Sequence, residues 1–320
     1  MMVAGADFTT AAGPARVSAP RHTASPFSGR PDRTYDAWRD WKLSNAPQDV
    51  DSLIVEVGAL GEPRVGEIAK IRELCRQANF AIYATTGTVE KRDIVKFGAA
   101  FGLDRLDKTH CADDDAITEL KVEADGQRAT YIPYSNRPLS WHTDGYYNAA
   151  SEQVRGFILH CQRPAETGGD SLVLDPDLAY IHLMDVNPDY IGAMMEPNAM
   201  TIPENVEAGR LVRGAETGPV FSMIGGDLHM RYSARKRNIA WKDDSRVACA
   251  RAVLDALLDE VSPAPFRFRL QPGQGIICNN VLHRRTGFDA ASDRLFFRAR
   301  YLDRVSGTSW QGDAPLQKPT

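Results

Sequence analysis

The sequence predicts an α+β fold in which a barrel or jelly roll of short β-strands is flanked by α-helices. From about Thr130 onwards, short aromatic and β-branched runs alternate with turn residues, which is typical of small barrels and jelly rolls. Two longer segments between these runs have helical periodicity. Length and composition agree, because 320 residues with 43% hydrophobic and 25% charged side chains can bury a sizeable core.

Residues 1–34 are predicted to be a flexible N-terminal tail. This segment is rich in Ala, Gly, Pro, Ser and Thr and has few large apolar side chains, so burial cannot offset the entropy of ordering it. Residues 35–320 are predicted to form a single domain, with a helical insert at about 175–265.

The first part of this domain predicts a layer that flanks a sheet. Gly-rich and Pro-containing breaks separate two apolar runs from two segments with helical periodicity. We therefore expect a strand at Ser52 to Val57, a helix at Val65 to Ala78, a strand at Phe80 to Ala84 and a helix at Val89 to Phe101.

The rest of the chain carries most of the predicted strands. They are expected at Ala129 to Pro133, Leu139 to Asn148, Val154 to Gln162, Asp170 to Leu174, Val220 to Tyr232, Phe266 to Leu270, Gly275 to Cys278 and Arg294 to Leu302. Two helices are expected between them, from Asp175 to about Met195 and from Asp244 to Val261, and the second has one apolar face.

Charge and cysteine content exclude several classes of partner. A net charge of −4 and a pI near 6.0 argue against a general nucleic-acid-binding surface. Five scattered cysteines without C-x-x-C spacing predict reduced thiols. Without a long apolar run or the features of a secretory leader, we expect a cytoplasmic protein with no membrane partner. A homo-oligomer is compatible with these observations.

The sequence Trp-His-Thr-Asp at positions 141–144, together with the distant His283, forms a candidate metal site. Chance alone supplies roughly one His-x-Asp/Glu pair in a chain of this composition, so specificity must come from the surroundings. These are aromatic-rich and lack Pro, which favours a strand, and on a strand His142 and Asp144 share a face. With His283 they suit a 2-His-1-carboxylate iron site, which points to oxygen chemistry.

The last predicted strand has an arginine-rich face. Side chains two residues apart on a strand point to the same side, which places on this face Arg294, Phe296, Arg298 and Arg300. If the face turns inward, its guanidinium groups need anions, because an unpaired buried charge is very costly. A dicarboxylate cosubstrate would meet this need with a bidentate contact. The alternative is an edge strand whose arginines are solvated.

Four motifs together resemble the TauD/TfdA-like Fe(II)/2-oxoglutarate-dependent dioxygenases, which include the clavaminate-synthase-like and butyrobetaine-hydroxylase-like branches. The resemblance covers roughly residues 130–304, and the motifs occur in the order and spacing of the family. They are Trp141 to Asp144, Gly168 to Ser171, Asn280 to Phe288, and Asp293-Arg294 with Arg298 close behind.

This resemblance implies a double-stranded β-helix core (jelly roll, cupin-like) in which His142, Asp144 and His283 are the catalytic iron ligands. It also implies that Arg294 pairs with the distal carboxylate of 2-oxoglutarate. Ser171 matches a position that hydrogen-bonds the cosubstrate, and Arg298 matches one that supports the cosubstrate or holds an anionic group of the substrate.

The implied reaction uses Fe(II), 2-oxoglutarate and O2 to hydroxylate a small polar or anionic molecule, and it releases succinate and CO2. An intact Asp144 favours hydroxylation or desaturation, since the related halogenases have a small residue at this position. Two departures from the family pattern are a Ser at 171 where Thr is commoner and His-Arg-Arg at 283–285 where many members have His-Gly-Arg. Arg284 therefore has no assigned role.

Several residues near these motifs are candidates for substrate binding. Each has a structural alternative, the tyrosines as core or surface aromatics and the basic run at 235–237 as a solvated turn. The candidates are Tyr134, Arg137, Tyr146, Tyr147, Arg231, Tyr232 and Arg235.

Two other functions compete with the dioxygenase. A cupin-like non-haem iron enzyme that does not use 2-oxoglutarate would have no need for the Arg294 and Arg298 face. A non-catalytic jelly-roll binding protein would bind no stoichiometric Fe(II).

Overall fold

Helices and strands were located in a computed structural model, which describes residues 25–108, 115–207, 209–235, 237–259, 262, 264–289 and 291–312. Six α-helices lie in these ranges: α1 (Arg33–Asn45), α2 (Val65–Ala78), α3 (Lys91–Ala100), α4 (Pro176–Val186), α5 (Pro188–Met194) and α6 (Ser245–Leu257).

Seventeen short strands lie in the same ranges. They are β1 (Ile54–Glu56), β2 (Phe80–Ala84), β3 (Ile117–Leu120), β4 (Leu139–His142), β5 (Gly156–Arg163), β6 (Ser171–Leu174), β7 (Met200–Ile202), β8 (Asn205–Glu207), β9 (Arg210–Arg213), β10 (Glu216–Gly218), β11 (Phe221–Ile224), β12 (Asp227–Met230), β13 (Ala240–Trp241), β14 (Phe266–Phe268), β15 (Gln274–Cys278), β16 (Leu282–Arg285) and β17 (Leu295–Tyr301).

Two sheets that face each other form the predicted jelly roll. The larger has the order β1-β2-β15-β5-β17-β3 and the smaller the order β14-β6-β16-β4. The β1–β2 pair is parallel, and the other pairs in both sheets are antiparallel. Phe157 of the larger sheet and Val173 of the smaller sheet line one narrow cavity, so the interior between the sheets is the place for a site.

Two hydrophobic cores support this scaffold. In the first, α2 and α3 cover the larger sheet, and the Phe97 ring packs edge-on against Tyr83 with 4.8 Å between ring centroids. In the second, α1, α4, α5 and α6 pack around Tyr180, which is fully buried. The described residues contain no helix with the length and apolar character of a membrane span.

The packed region begins upstream of the boundary predicted at Tyr35. Phe27 is 5% exposed and packs edge-on against Trp38, with 4.8 Å between ring centroids. The carboxylate of Asp32 accepts a hydrogen bond from the Tyr35 amide and caps α1, a helix that the sequence analysis did not predict. Residues 1–24 of the predicted tail lie outside the described ranges.

The helix predicted from Asp175 to Met195 is two helices. The chain breaks at Asn187, where φ is −165°, because the ring of Pro188 disfavours helical backbone at the preceding residue. The Asn187 side chain accepts a hydrogen bond from the Asp189 amide at 3.0 Å, so the break is also the N-cap of α5.

Two predicted strands have a different structure. The strand predicted from Val220 to Tyr232 is the β11–β12 hairpin, whose turn residues Gly225 and Gly226 have φ of 63° and 90°. The strand predicted from Ala129 to Pro133 is wrong, because the segment forms two 3-10 turns, and Pro133 has no N–H to donate to a sheet.

The segment predicted as a helical insert at 175–265 contains strands as well as helices. Besides α4, α5 and α6 it carries β7 to β13, which are two to four residues long. Apart from β11 and β12, which lie within the strand predicted from Val220 to Tyr232, these strands are too short to establish a period-two pattern and could not be found from periodicity.

Candidate active site

The three predicted metal ligands lie together at one end of the smaller sheet. His142 is the last residue of β4, and His283 of β16 is its direct antiparallel partner. One ligand atom from each histidine and one from Asp144 all lie within 4.8 Å of one another. The two imidazole centroids are 4.3 Å apart, and His142 Nε2 is 3.6 Å from Asp144 Oδ1.

Asp144 reaches this cluster from a turn and not from the face of a strand. The predicted strand from Leu139 to Asn148 ends at His142, and Gly145 has φ of 65°. Between them, the Thr143 amide donates to the carbonyl oxygen of Tyr232 at 3.0 Å. The expected meeting of His142 and Asp144 is therefore observed, but the shared strand face that predicted it is wrong.

The ligand atoms of the cluster are free to bind a cation. Nδ1 of His142 lies 2.9 Å from the carbonyl oxygen of Ser140, and Nδ1 of His283 lies 2.9 Å from that of Val281. Donation from Nδ1–H to a carbonyl leaves the Nε2 lone pair available to a metal. Asp144 Oδ2 is buried and has no hydrogen-bond partner among the described residues, which is costly unless a cation contacts it.

The protonation states also fit a metal site. Burial favours the neutral form of the Asp144 carboxyl, but the nearby Arg298 guanidinium and the hydrogen bond with His142 hold its pKa well below the usual range. Burial, with a smaller effect of His142, lowers the pKa of His283 to about 3. An anionic carboxylate and a neutral imidazole are the forms that bind metals, so these residues fit Fe(II) or a similar divalent cation.

Asn280 connects the two parts of the cluster. Its side-chain oxygen accepts from the Asp144 amide at 2.8 Å, and its side-chain nitrogen donates to the Asp144 carbonyl at 2.9 Å. The same nitrogen donates to the carbonyl of Val154 at 2.6 Å. Asn280 therefore attaches the turn that carries Asp144 to the segment that leads into His283.

Arg294 is a buried cation that makes no ion pair with the described residues. It is 5% exposed, and its guanidinium carbon lies 3.9 Å from the ring centroid of Phe296 and 5.2 Å from that of Phe288. No carboxylate of the described residues lies within 4.0 Å of it, and burial lowers its pKa to about 9. It lines a small cavity of about 50 Å³ together with His283, Ser171 and Arg298.

The arginine-rich face of β17 is buried, which excludes the solvated alternative. β17 lies between β5 and β3, and Arg300 is 6% exposed. Arg300 Nη2 is 2.8 Å from Asp107 Oδ2, and its Nη1 donates to the Tyr147 hydroxyl at 3.0 Å. Arg298 Nη1 donates to Asp144 Oδ1 at 3.4 Å, so this face connects directly with the metal cluster.

A second, larger cavity of about 530 Å³ opens on the other side of the metal cluster. Four of the predicted substrate-binding candidates lie on its wall, namely Tyr134, Tyr146, Tyr147 and Arg235. Several other lining residues could not be assigned to the site from the sequence, because loops and very short strands have no periodic signal. They include Tyr131, Asn205, Arg213 and Asn238.

Three of the predicted substrate residues lie elsewhere. The Arg231 guanidinium donates to the backbone carbonyls of Tyr146, Met200, Gly218 and Glu216. Tyr232 packs in the second core, 6.2 Å from Trp241 between ring centroids. A substrate contact is therefore wrong for both. Arg137 is exposed and does not line either cavity. The unassigned Arg284 has its guanidinium 6.0 Å from the Trp141 ring centroid.

Comparisons with known proteins agree with this geometry. The protein is similar to a curated uridine-5'-phosphate dioxygenase of Amycolatopsis sp, with 28% identity over 170 residues, which is 51% of this chain and 60% of that protein. The chain thus matches less than two thirds of the length of that relative.

Solved structures share the fold. An asparagine oxygenase in complex with Fe(II), 2S,3S-3-hydroxyasparagine and succinate has a TM-score of 0.52 at 15% identity, and the match covers 85% of this chain and 92% of that one. AAD-2 in complex with Mn(II) and N-oxalylglycine has a TM-score of 0.56 at 12% identity, and covers 79% and 95%.

The family itself follows from a match along most of the chain. A family model described as taurine catabolism dioxygenase TauD, TfdA family, matches residues 62–300, which include His142, Asp144, His283, Arg294 and Arg298. The chain belongs to the TauD/TfdA family.

Proposed function

We propose that this protein is an Fe(II)- and 2-oxoglutarate-dependent dioxygenase that hydroxylates a small polar or anionic molecule and releases succinate and CO2. The observation that carries the proposal is the buried Arg294, which has no carboxylate partner among the described residues and faces the same small cavity as His283. A dicarboxylate bound there would supply the missing anion.

Each side chain of the cluster has a defined task in this proposal. His142, Asp144 and His283 would hold Fe(II), which with 2-oxoglutarate and O2 supplies the oxidant for a C–H bond. Arg294 would bind the distal carboxylate of 2-oxoglutarate, and the Ser171 hydroxyl would donate to the cosubstrate from the opposite sheet. Arg298 orients the Asp144 carboxylate through their 3.4 Å contact.

The two cavities separate the two organic reactants. Arg298 lines both cavities, and the metal ligands are divided between them: His283 lines the small one, and His142 and Asp144 line the large one. The cosubstrate would therefore approach the iron from one side and the substrate from the other. In this arrangement the substrate would lie near the iron, and Arg294 would bind only the cosubstrate. Hydroxylation needs this positioning, because the oxidised carbon must lie close to the metal.

The comparisons support the proposal. The asparagine oxygenase structure contains Fe(II) and succinate, and the AAD-2 structure contains Mn(II) and N-oxalylglycine. The curated relative is named for uridine 5'-phosphate, which makes anionic nucleotides the first candidates in a substrate screen.

We also propose a cytoplasmic location. The free cysteines at positions 75, 161, 249 and 278 agree with it, because disulfides are rare in the reducing cytoplasm.

The competing functions explain less of the site. In an iron enzyme that does not use 2-oxoglutarate, the buried charge of Arg294 would have no anionic ligand to pair with. In a non-catalytic jelly-roll protein, the buried Oδ2 of Asp144 would have no cation to contact. Neither is favoured.

The test is succinate release from 2-oxoglutarate under Fe(II) and air, with a panel of nucleotides, amino acids, carboxylates and sulfonates. We expect at least one compound to raise succinate above the uncoupled background, and Asp144→Ala to abolish the increase while the circular dichroism spectrum is kept. Stoichiometric metal binding without any succinate from 2-oxoglutarate would overturn the proposal.

A further inference from the structure

The large cavity has positively charged side chains at its opening to solvent. His142 and Asp144 lie at one end, and Arg213, Arg235 and Asn238 also line the cavity. Asn238 and Arg235 are exposed, and Arg213 is half-buried, so these side chains border the opening to solvent. The inference that follows rests on the proposed function, because it concerns the substrate of the same site.

The arginines of the cavity fall into two groups by their partners. Arg298 and Arg300, deep in the cavity, are matched by Asp144 and Asp107. No carboxylate of the described residues lies within 4.0 Å of the Arg213 or Arg235 guanidinium, although the exposed Glu204 also lines the cavity. The deep positive charge is therefore neutralised, and the positive charge at the mouth is available to a ligand.

Arg213 is held in place before any ligand arrives. Its Nη1 donates to the Gly214 carbonyl at 2.5 Å, and its Nη2 donates to the Pro203 carbonyl at 2.6 Å. A guanidinium fixed in this way loses little side-chain entropy when it binds an oxyanion, and its Nε–H and remaining N–H groups can still donate.

Tyr146 lies at the metal-binding end of the cavity, because its ring centroid is 6.3 Å from that of His142. Tyr146 also lines the same cavity as Arg213 and Arg235. A ligand that fills the cavity can therefore contact both arginines and the metal ligands.

The wall between the two ends is aromatic. Tyr131, Tyr134, Tyr146 and Tyr147 line it, and their rings offer flat apolar surface to a substrate. The cavity volume of about 530 Å³ suits a ring compound with a substituent and exceeds the need of a small acid.

We propose that Arg213 and Arg235 form a subsite for a phosphate or carboxylate group of the substrate, which is separated by a ring from the carbon that is oxidised. The substrate is then a ring-bearing oxyanion such as a nucleoside phosphate or an aryl carboxylate. Its ring packs among the tyrosines, and its charged group stays at the mouth and away from the iron.

Matched pairs of compounds test this subsite. Binding to the protein loaded with Mn(II) and 2-oxoglutarate, without O2, is measured by calorimetry for uridine 5'-phosphate against uridine and for phenylacetate against phenylacetamide. The pair that shows the larger preference for its anion identifies phosphate or carboxylate as the group that is bound. We expect the anion to bind at least about tenfold more tightly in one pair, and less so at high salt.

The variants are Arg235→Gln and Arg213→Gln, with Arg210→Gln as the matched control. Arg210 is an exposed arginine of β9, the strand that also carries Arg213, and it lines neither cavity. Arg213 also bonds two carbonyls, whereas the Arg235 side chain makes no hydrogen bond or ion pair with the described residues, so Arg235→Gln is the cleaner variant. We expect both variants, but not the control, to lose most of the preference for the anion and to keep the affinity for the neutral compound.

Two outcomes overturn the subsite: neutral compounds that bind as well as the anions in both pairs, or variants that bind the anions like the control. Uncoupled succinate release by the wild-type protein tests the dioxygenase separately. If the wild type releases succinate from 2-oxoglutarate but shows no preference for the anion in either pair, the subsite fails and the proposed function stands.

Discussion

The side-chain amide of Asn280 pairs with the backbone of Asp144, with its oxygen 2.8 Å from the Asp144 amide nitrogen and its nitrogen 2.9 Å from the Asp144 carbonyl oxygen. The two bonds imitate those between neighbouring strands, although Asp144 lies in a turn. Asn280 has φ of 53°, a backbone conformation that Asn tolerates better than most residues.

Asn280→Ala is expected to weaken divalent metal binding by roughly tenfold to a hundredfold, the range typical of residues that orient metal ligands. The variant removes the contacts that hold the Asp144 turn against the segment leading to His283. Equilibrium dialysis with Mn(II) or Co(II) measures the affinity without turnover.

Asn279→Ala is the matched control for this prediction. Asn279 is also buried, but its side chain contacts Asn79, Thr308 and the Val305 amide and no metal ligand. We expect it to lower the free energy of unfolding and to keep metal affinity within a few-fold of the wild type. Equal losses of affinity in the two variants would contradict a specific role for Asn280.

Arg294→Ala is expected to raise the KM for 2-oxoglutarate, because it removes a charge-assisted contact of about 1.5–3 kcal/mol. Arg294→Lys keeps the charge but not the bidentate geometry and should have an intermediate effect. Succinate release as a function of 2-oxoglutarate concentration is the measurement. An unchanged KM in Arg294→Ala would assign the cosubstrate carboxylate to Arg298 instead.

Arg300→Gln is expected to lower the free energy of unfolding by about 3–5 kcal/mol, because Asp107 would remain buried without its partner. Arg300 Nη2 lies 2.8 Å from Asp107 Oδ2, and the two side chains are 6% and 7% exposed. Adding Asp107→Asn should recover part of the loss. Urea denaturation of the two single variants and the double variant measures the coupling, and strictly additive losses would show that the pair is not coupled.

The metal-free protein is expected to lose stability as the pH falls below about 6.5. Burial lowers the pKa of His160 to about 4 and that of His229 to about 3, from an ordinary value of 6.5. The unfolded chain therefore binds protons that the folded chain excludes, and each group contributes up to about 1.4 kcal/mol of destabilisation per pH unit in this window.

His160→Gln tests this pH dependence. It removes one of the protons taken up on unfolding, so the free energy of unfolding, measured in urea with a chelator between pH 7 and pH 4.5, should fall less steeply than in the wild type. An unchanged slope would mean that His160 is protonated alike in both states. The stacked contact with Tyr83 affects the absolute stability but not this slope.

Elements with a strong local pattern could be predicted from the sequence. The bounds of α2 and β2 agree with the prediction, because α2 has a helical period and β2 is a short, continuous apolar run. Asn79, the C-cap of α2 in left-handed conformation, separates the two elements. The prediction gave α4 and α5 as one helix, because a helical period continues across the Asn187-Pro188 break.

The residues of the candidate site also differ in how well they could be predicted from the sequence. His142, Asp144 and His283 could be identified because their residue types and spacing carry the chemistry, whatever the path of the chain between them. The different roles of Arg231 and Arg235 could not be predicted, because the two arginines are only four residues apart in the same segment of the sequence. Arg231 bonds four carbonyls in the interior, and Arg235 lines the cavity.

Residue chemistry and local periodicity were thus sufficient to predict a fold of short strands and flanking helices and to select His142, Asp144 and His283 as candidate ligands, and the resemblance of four motifs indicated the family. The packing of distant segments decided the rest: the turn that presents Asp144, the burial of Arg294 and the choice of arginines at the mouth. The reason is that the surroundings of a charged side chain, and so the partner it needs, come from parts of the chain remote in sequence and are set only when the sheets and helices pack.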